Sequence, residues 1–126
     1  MKSVFIKSLA AAALVAGSAV GAQAQSTADF YKGKQVKILI GYGVGGTYGK
    51  YSTILAEQLK PLIGAGSVVV QSMPGSGGLR MTNYAYNVAP KDGSVIMMPP
   101  DTIVVTQLMK PKAAKYDASK LTWLGS

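Results

Sequence analysis

Val36-Lys37-Ile38-Leu39-Ile40-Gly41-Tyr42-Gly43-Val44-Gly45-Gly46-Thr47 is the stretch that decides the fold. Its first five residues are β-branched and mostly apolar, the composition of a strand covered on both faces. Gly41 to Thr47 is a glycine-rich loop, and beyond it the spacing of Tyr51, Ile54, Leu55, Leu59 and Leu62 predicts a helix with one apolar stripe. Pro61 near the end of that helix, with Gly64 and Gly66 after it, are stop signals.

Outward from this unit the pattern repeats. Ser67-Val68-Val69-Val70-Gln71 is a second strand, Met73-Pro74-Gly75-Ser76-Gly77-Gly78 a second glycine-rich loop, and Leu79 to Val88 a second helix. Ala89-Pro90-Lys91-Asp92-Gly93 is a turn and Ser94-Val95-Ile96-Met97-Met98 a third strand. Pro99-Pro100-Asp101-Thr102 then forms a third loop, with Asp101 or Thr102 as cap of a short helix over Ile103 to Met109. Lys110 to Lys120 is a basic connection, and Leu121 to Leu124 reads as the start of a further buried strand. Ser26 to Gln35, ahead of the first strand, is a polar lead-in. Tandem strand-loop-helix units imply an α/β domain with a parallel sheet and flanking helices.

Further upstream, Lys2 and Lys7 precede an uncharged Ala, Leu and Val-rich stretch ending in Ala22-Gln23-Ala24. Positive n-region, apolar h-region and small-residue cleavage site are the order of a secretory signal peptide. Residues 1–24 are therefore expected to be removed after Ala24, leaving Gln25 as the mature N-terminus. Gly17, Ser18, Gly21 and Gln23 break up the apolar run, which falls short of the ~20 residues a membrane span needs. A soluble exported product is expected.

The chain has no cysteine and no histidine. Disulfides, thiolate metal sites, lipid attachment at an N-terminal cysteine and the usual Ser-His or Cys-His nucleophile pairs are thereby excluded from this stretch. Without Lys2 and Lys7, eleven basic residues stand against five acidic ones. The lysines are scattered instead of forming a stripe interleaved with aromatics, so no nucleic-acid partner is expected. No catalytic residue, metal ligand or cofactor is assigned.

In an open parallel sheet, ligands bind outside the carboxyl ends of the strands, where loops lead into helix N-termini. All three loops fall there. Glycine lets a backbone approach a ligand closely, and the helix dipole adds partial positive charge, so each loop is a candidate anion cradle. The candidate ligand-binding residues are Tyr42, Gly43, Val44, Gly45, Gly46, Thr47 and Tyr48, then Pro74, Gly75, Ser76, Gly77 and Gly78, and finally Pro100, Asp101 and Thr102. The alternative for any one loop is a tight connection with glycine chosen for turn geometry. Tyr51 reads as a packing residue on the apolar stripe, and Tyr84 and Tyr86 as partly buried helix residues.

Three other glycine-loop chemistries match poorly. Gly41 to Gly46 satisfies GxGxxG, but Gln71 occupies the region where a ribose-binding acid belongs, and the next acid is Asp92. Gly49-Lys50 lacks the upstream glycine of a phosphate-binding P-loop and is followed by Tyr51 in place of Ser or Thr. Gly75-Ser76-Gly77 lacks the GxSxG spacing of a hydrolase elbow.

The assembled features resemble the solute-binding proteins of tripartite tricarboxylate transporters, the TctC or Bug-type family. The likeness is carried by Phe30-Tyr31-Lys32-Gly33-Lys34, Ile40 to Gly46, Met73 to Gly78, Asn87-Val88-Ala89-Pro90-Lys91-Asp92-Gly93, and Tyr116-Asp117 leading to Trp123-Leu124-Gly125-Ser126. It covers essentially the whole stretch after the leader. The resemblance implies a periplasmic, two-lobed Venus flytrap of the type II binding-protein fold. Such a protein closes on a small carboxylate and delivers it to a permease with one large and one small membrane subunit. Residues 25–126 would be the N-terminal part of its first lobe, with the second lobe absent, and the receptor would be a monomer. The family's first two loops hold a carboxylate through backbone N–H groups and waters. Where members often carry an aspartate after the first-loop glycines, this chain has Gly49 and Lys50, which favours a purely anionic ligand. An exported α/β enzyme with its catalytic residues elsewhere is the competing expectation.

Overall fold

A computed structural model describes residues 26–125; the predicted leader, its cleavage point and Gln25 lie outside them. The elements are α1 (Thr27–Tyr31), β1 (Gln35–Ile40), α2 (Thr47–Ile63), β2 (Ser67–Ser72), α3 (Leu79–Asn87), β3 (Val95–Met98) and α4 (Ile103–Met109), with single 3-10 turns at Ser76–Gly78 and Ala118–Lys120. None of the described helices is long and apolar enough to cross a membrane.

The sheet has three strands in the order β2-β1-β3, and both pairings are parallel. As the central strand, β1 is covered on both faces, which is why its sequence is apolar almost without interruption. Val36, Ile38, Leu39 and Ile40 are at most 1% exposed. The chain steps from β1 to β2 on one side and then returns past β1 to β3 on the other. Right-handed crossovers in opposite directions require the two helices to lie on opposite faces. On one face Ile38, Ile40 and the α2 residue Ala56 pack with Val68, Val70 and Met98. On the other, Leu39 packs with Met81 and Ala85 of α3, joined by Met73, Tyr84, Val95 and Met97. Tyr84 and Tyr86 are half-buried, as their helical positions suggest.

The packing face of α2 departs from the expected one. Its buried residues are Gly49, Ser52 and Ala56, a stripe of small side chains. The larger apolar stripe is largely exposed, with Tyr51 at 63%, Ile54 at 57% and Leu62 at 80%. Small residues let the helix axis come close to β1 and β2, and this close approach outweighs the area that the larger stripe would bury. Tyr51 and Leu55 instead overhang the edge of β3, where no fourth strand stands among the described residues.

Two further expectations are corrected. The polar lead-in contains α1, capped by Ser26, whose hydroxyl accepts the Asp29 N–H at 3.1 Å. Leu121 to Leu124 forms no strand: Leu121 tucks against the cluster of Ile103, Ala114, Tyr116 and Ala118, while Trp123 and Leu124 stay exposed. The Trp123 indole N–H donates to the Ala118 carbonyl at 3.3 Å, which turns the segment back on the 3-10 turn before it instead of along β3. The preceding connection is held by Asn83, which donates to the Ala113 carbonyl and accepts the Lys115 N–H.

Candidate functional site

The strand order β2-β1-β3 makes the crossovers reverse direction between β1 and β3, with all three strands parallel. The loop after β1 leads into α2 on one face, and the loop after β3 leads into α4, whose Ile103 packs with Leu79 and Tyr86 on the α3 side. The two loops lead to opposite faces of the sheet from the carboxyl ends of the strands, the topological position where ligands bind in open α/β sheets.

All three candidate loops meet at this edge. Gly41 lies so close to Gly78 that a Cβ added to it would fall 2.5 Å from the Gly78 Cα. A Cβ on Gly78 would in turn fall 2.5 Å from Cγ of Pro100. Pro100 is buried by this contact, and Gly78 beneath it adopts φ +85°, which glycine tolerates. Above these contacts the rings of Tyr42 and Tyr48 pack at 4.7 Å between centroids with a 30° tilt. The Ser72 hydroxyl donates to the Tyr42 carbonyl at 2.8 Å, and the Tyr42 hydroxyl makes a long contact of 3.5 Å with the Gly77 carbonyl. The Asp101 N–H donates to the Tyr48 hydroxyl at 3.4 Å. Burial, and then the neighbouring Tyr48 and Asp101, push the Tyr42 phenol above its ordinary pKa.

The two glycine-rich loops differ in kind. In the second, Gly75, Ser76, Gly77 and Gly78 all have positive φ, and the Gly75 carbonyl accepts the N–H groups of Gly78 and Arg80. Its glycines serve a tight turn, and those two amides are already partnered. In the first, Gly43, Gly45 and Gly46 have no positive φ, and a Cβ on any of them would meet nothing closer than 3.7 Å. Neither turn geometry nor packing calls for glycine there. These residues, with Val44 and Thr47, are exposed, and Tyr48 is half-buried behind them. Gly46 is the N-cap of α2 and supplies no capping side chain, so the first-turn amides of this 17-residue helix are left without a side-chain cap.

Gly49 explains how the loop lies on the helix. A Cβ there would sit 1.8 Å from the Val44 carbonyl oxygen, so the Val44 backbone occupies the space a side chain would need. An aspartate at this position is incompatible with the loop as it stands.

In the third loop, Pro100 is a packing element. Thr102 takes the N-cap position of α4 but makes no side-chain capping bond, and neither does Asp101, contrary to the predicted cap. The short α4 is anchored instead by the Thr106 N–H donating to the Thr102 carbonyl at 2.8 Å and by burial of Ile103. Thr102 and Asp101 are both exposed. Sequence reasoning passed over Ser72, which fixes the Tyr42 carbonyl. Its place at the very end of a strand, facing the first loop across β1, is the signal that marks it.

Comparison of the chain with protein-family models, with curated proteins and with solved structures returns no match.

Proposed function

We propose that this chain is the N-terminal part of a non-enzymatic receptor lobe that captures a small carboxylate at the carboxyl ends of the strands, between the loops after β1 and β3. The observation that carries the reading is the first loop: three glycines that neither conformation nor packing requires, beside the uncapped N-terminus of α2. Bare backbone and free helix-end amides are what an anion needs, because N–H groups reach it without side-chain obstruction and the helix dipole favours negative charge. The resemblance to tripartite tricarboxylate receptors supports the same choice of ligand. On this reading the chain is exported to a periplasm after loss of residues 1–24, residues 25–126 form the N-terminal part of the first lobe of a type II flytrap, and the ligand is passed to a permease of one large and one small membrane subunit. The parallel three-stranded sheet with helices on both faces is compatible with such a lobe.

Amide chemical-shift mapping tests the proposal directly, because glycine amides resonate apart from most others. The chain from Gln25 is titrated with citrate, succinate, benzoate and glutamate, against sodium chloride of matched ionic strength. Saturable shifts concentrated at Gly43, Gly45, Gly46, Thr47 and Tyr48 for at least one carboxylate are expected. Shifts no larger than those given by chloride, or shifts spread evenly over the surface, overturn it.

A further inference from the structure

The chain has four aspartates, and the carboxylates of three are engaged by near neighbours in sequence. Asp29 accepts from the Ser26 hydroxyl at 2.5 Å, Asp92 from Ser94, and Asp117 from Ser119. Asp101 differs. It is exposed, its carboxylate makes no hydrogen bond or ion pair among the described residues, and it does not cap α4. Nothing in the local structure calls for an acid at this position. Its backbone, by contrast, is held on two sides: the Asp101 N–H donates to the Tyr48 hydroxyl at 3.4 Å, and Pro100 before it is buried against Gly78.

Tyr48 is thereby a ruler between two opposite charges. Its own amide belongs to the first turn of α2, where the helix dipole leaves partial positive charge, and its hydroxyl touches the loop that carries Asp101. An anion at the α2 amides thus lies about one tyrosine side chain away from the Asp101 loop. The half-buried Tyr48 ring, packed on Tyr42 at 4.7 Å between centroids, stands between the two. The charge of Asp101 reaches across this pair, since it adds to the burial that raises the Tyr42 phenol above its ordinary pKa.

We propose that the ligand is a carboxylate that also bears a protonated amine, its carboxylate at the N-terminus of α2 and its ammonium at Asp101. This choice of ligand rests on the carboxylate reading above and narrows it. The sequence, through Gly49 and Lys50, favours a purely anionic ligand, but a second carboxylate on such a ligand would meet the like charge of Asp101. Gly49 cannot supply the acid that pairs with an ammonium, because a Cβ there would fall 1.8 Å from the Val44 carbonyl oxygen. Asp101 supplies it from a different loop. An ammonium over the Tyr48 ring gains further from the negative face of the π-system.

Amide-shift titrations of the whole chain, and of the chain from Gln25, with 4-aminobutyrate, butyrate and succinate at matched ionic strength test it. The three ligands have equal carbon chains and differ in the charge at the far end. 4-Aminobutyrate is expected to bind about two- to fivefold tighter than butyrate, the range of an exposed ion pair, and to shift the Asp101 and Thr102 amides together with those of Gly43 to Tyr48. Asp101→Asn should remove that advantage, leave butyrate unchanged and strengthen succinate. Opposite directions for two ligands are what a merely structural role for Asp101 would not produce. Asp101→Glu, which keeps the charge, should retain part of the preference for 4-aminobutyrate. Butyrate or succinate binding as tightly as 4-aminobutyrate overturns the ammonium contact and leaves the carboxylate reading standing. So does Asp101→Asn weakening all three alike, and so does silence from these three where citrate or benzoate shifts the first loop. No saturable first-loop shift from any carboxylate overturns both.

Discussion

Gly41, at the end of β1, packs backbone to backbone on Gly78, at the start of α3, and Gly78 packs in turn beneath Pro100. The contact ties the loops after all three strands into one layer, and side-chain atoms at either glycine would force them apart. Gly41→Ala should therefore destabilise the fold by about 1–3 kcal/mol, the usual cost of overpacking. A urea midpoint equal to or above that of the unaltered chain would show that the layer relaxes freely.

Gly49 offers a test in which two effects have opposite signs. Inside an exposed helix, alanine in place of glycine gains about 1 kcal/mol. Here the new Cβ would fall 1.8 Å from the Val44 carbonyl oxygen, backbone that moves only with the whole loop. Steric exclusion should win, so Gly49→Ala is expected to lower the thermal midpoint and shift the amide resonances of residues 43–46. A rise in the midpoint would mean that helix propensity dominates.

The Tyr116 hydroxyl donates to the Ile103 carbonyl at 2.8 Å inside the small cluster under α4. Tyr116→Phe leaves that carbonyl without its donor and should cost about 1 kcal/mol. Burial also raises the Tyr116 pKa above its ordinary value. A raised folded-state pKa means that the neutral phenol contributes fully below the unfolded value of about 10, and the contribution is lost as pH climbs through the folded value. The difference in stability between the chain and Tyr116→Phe should thus shrink above about pH 10, as followed by denaturant titrations at pH 8 and pH 11. A difference independent of pH would contradict this.

Asp92 and Asp117 behave in the opposite sense. Each carboxylate accepts from a serine two residues on, Ser94 or Ser119, by hydroxyl and by backbone N–H, and these bonds hold its pKa below the ordinary value. A depressed folded-state pKa contributes stability above the unfolded value of about 3.9, and that contribution disappears as pH falls through the folded value. Replacing both residues by asparagine should lower the melting temperature at pH 6 and leave little difference at pH 2. Parallel melting curves at both pH values would rule the carboxylates out as the cause.

Much of this architecture was legible because three strands and two helices obey simple periodicities. β1 announces its central place by lacking the polar alternation of a half-exposed strand, and the loops at the carboxyl ends follow from the parallel order. The order β2-β1-β3 was not legible, since it depends on which edge each crossover takes. The face of α2 was misread for a physical reason: a helix can gain more from close approach through Gly49, Ser52 and Ala56 than from burying Tyr51 and Leu62. The α1 helix hid because its stability rests on the Ser26 cap instead of an apolar stripe. Within the candidate site, the glycines were visible, but their two different reasons were not. Positive φ separates the second loop from the first, and only coordinates reveal it.

The seating of Val44 on Gly49 also bears on the thermodynamics of association. A segment welded to the first turn of a long helix has few alternative conformations left to surrender when something binds beside it. Association at that loop should therefore carry a small entropic penalty from the protein and a fast on-rate, with affinity limited by how many donors reach the anion and not by the cost of ordering them.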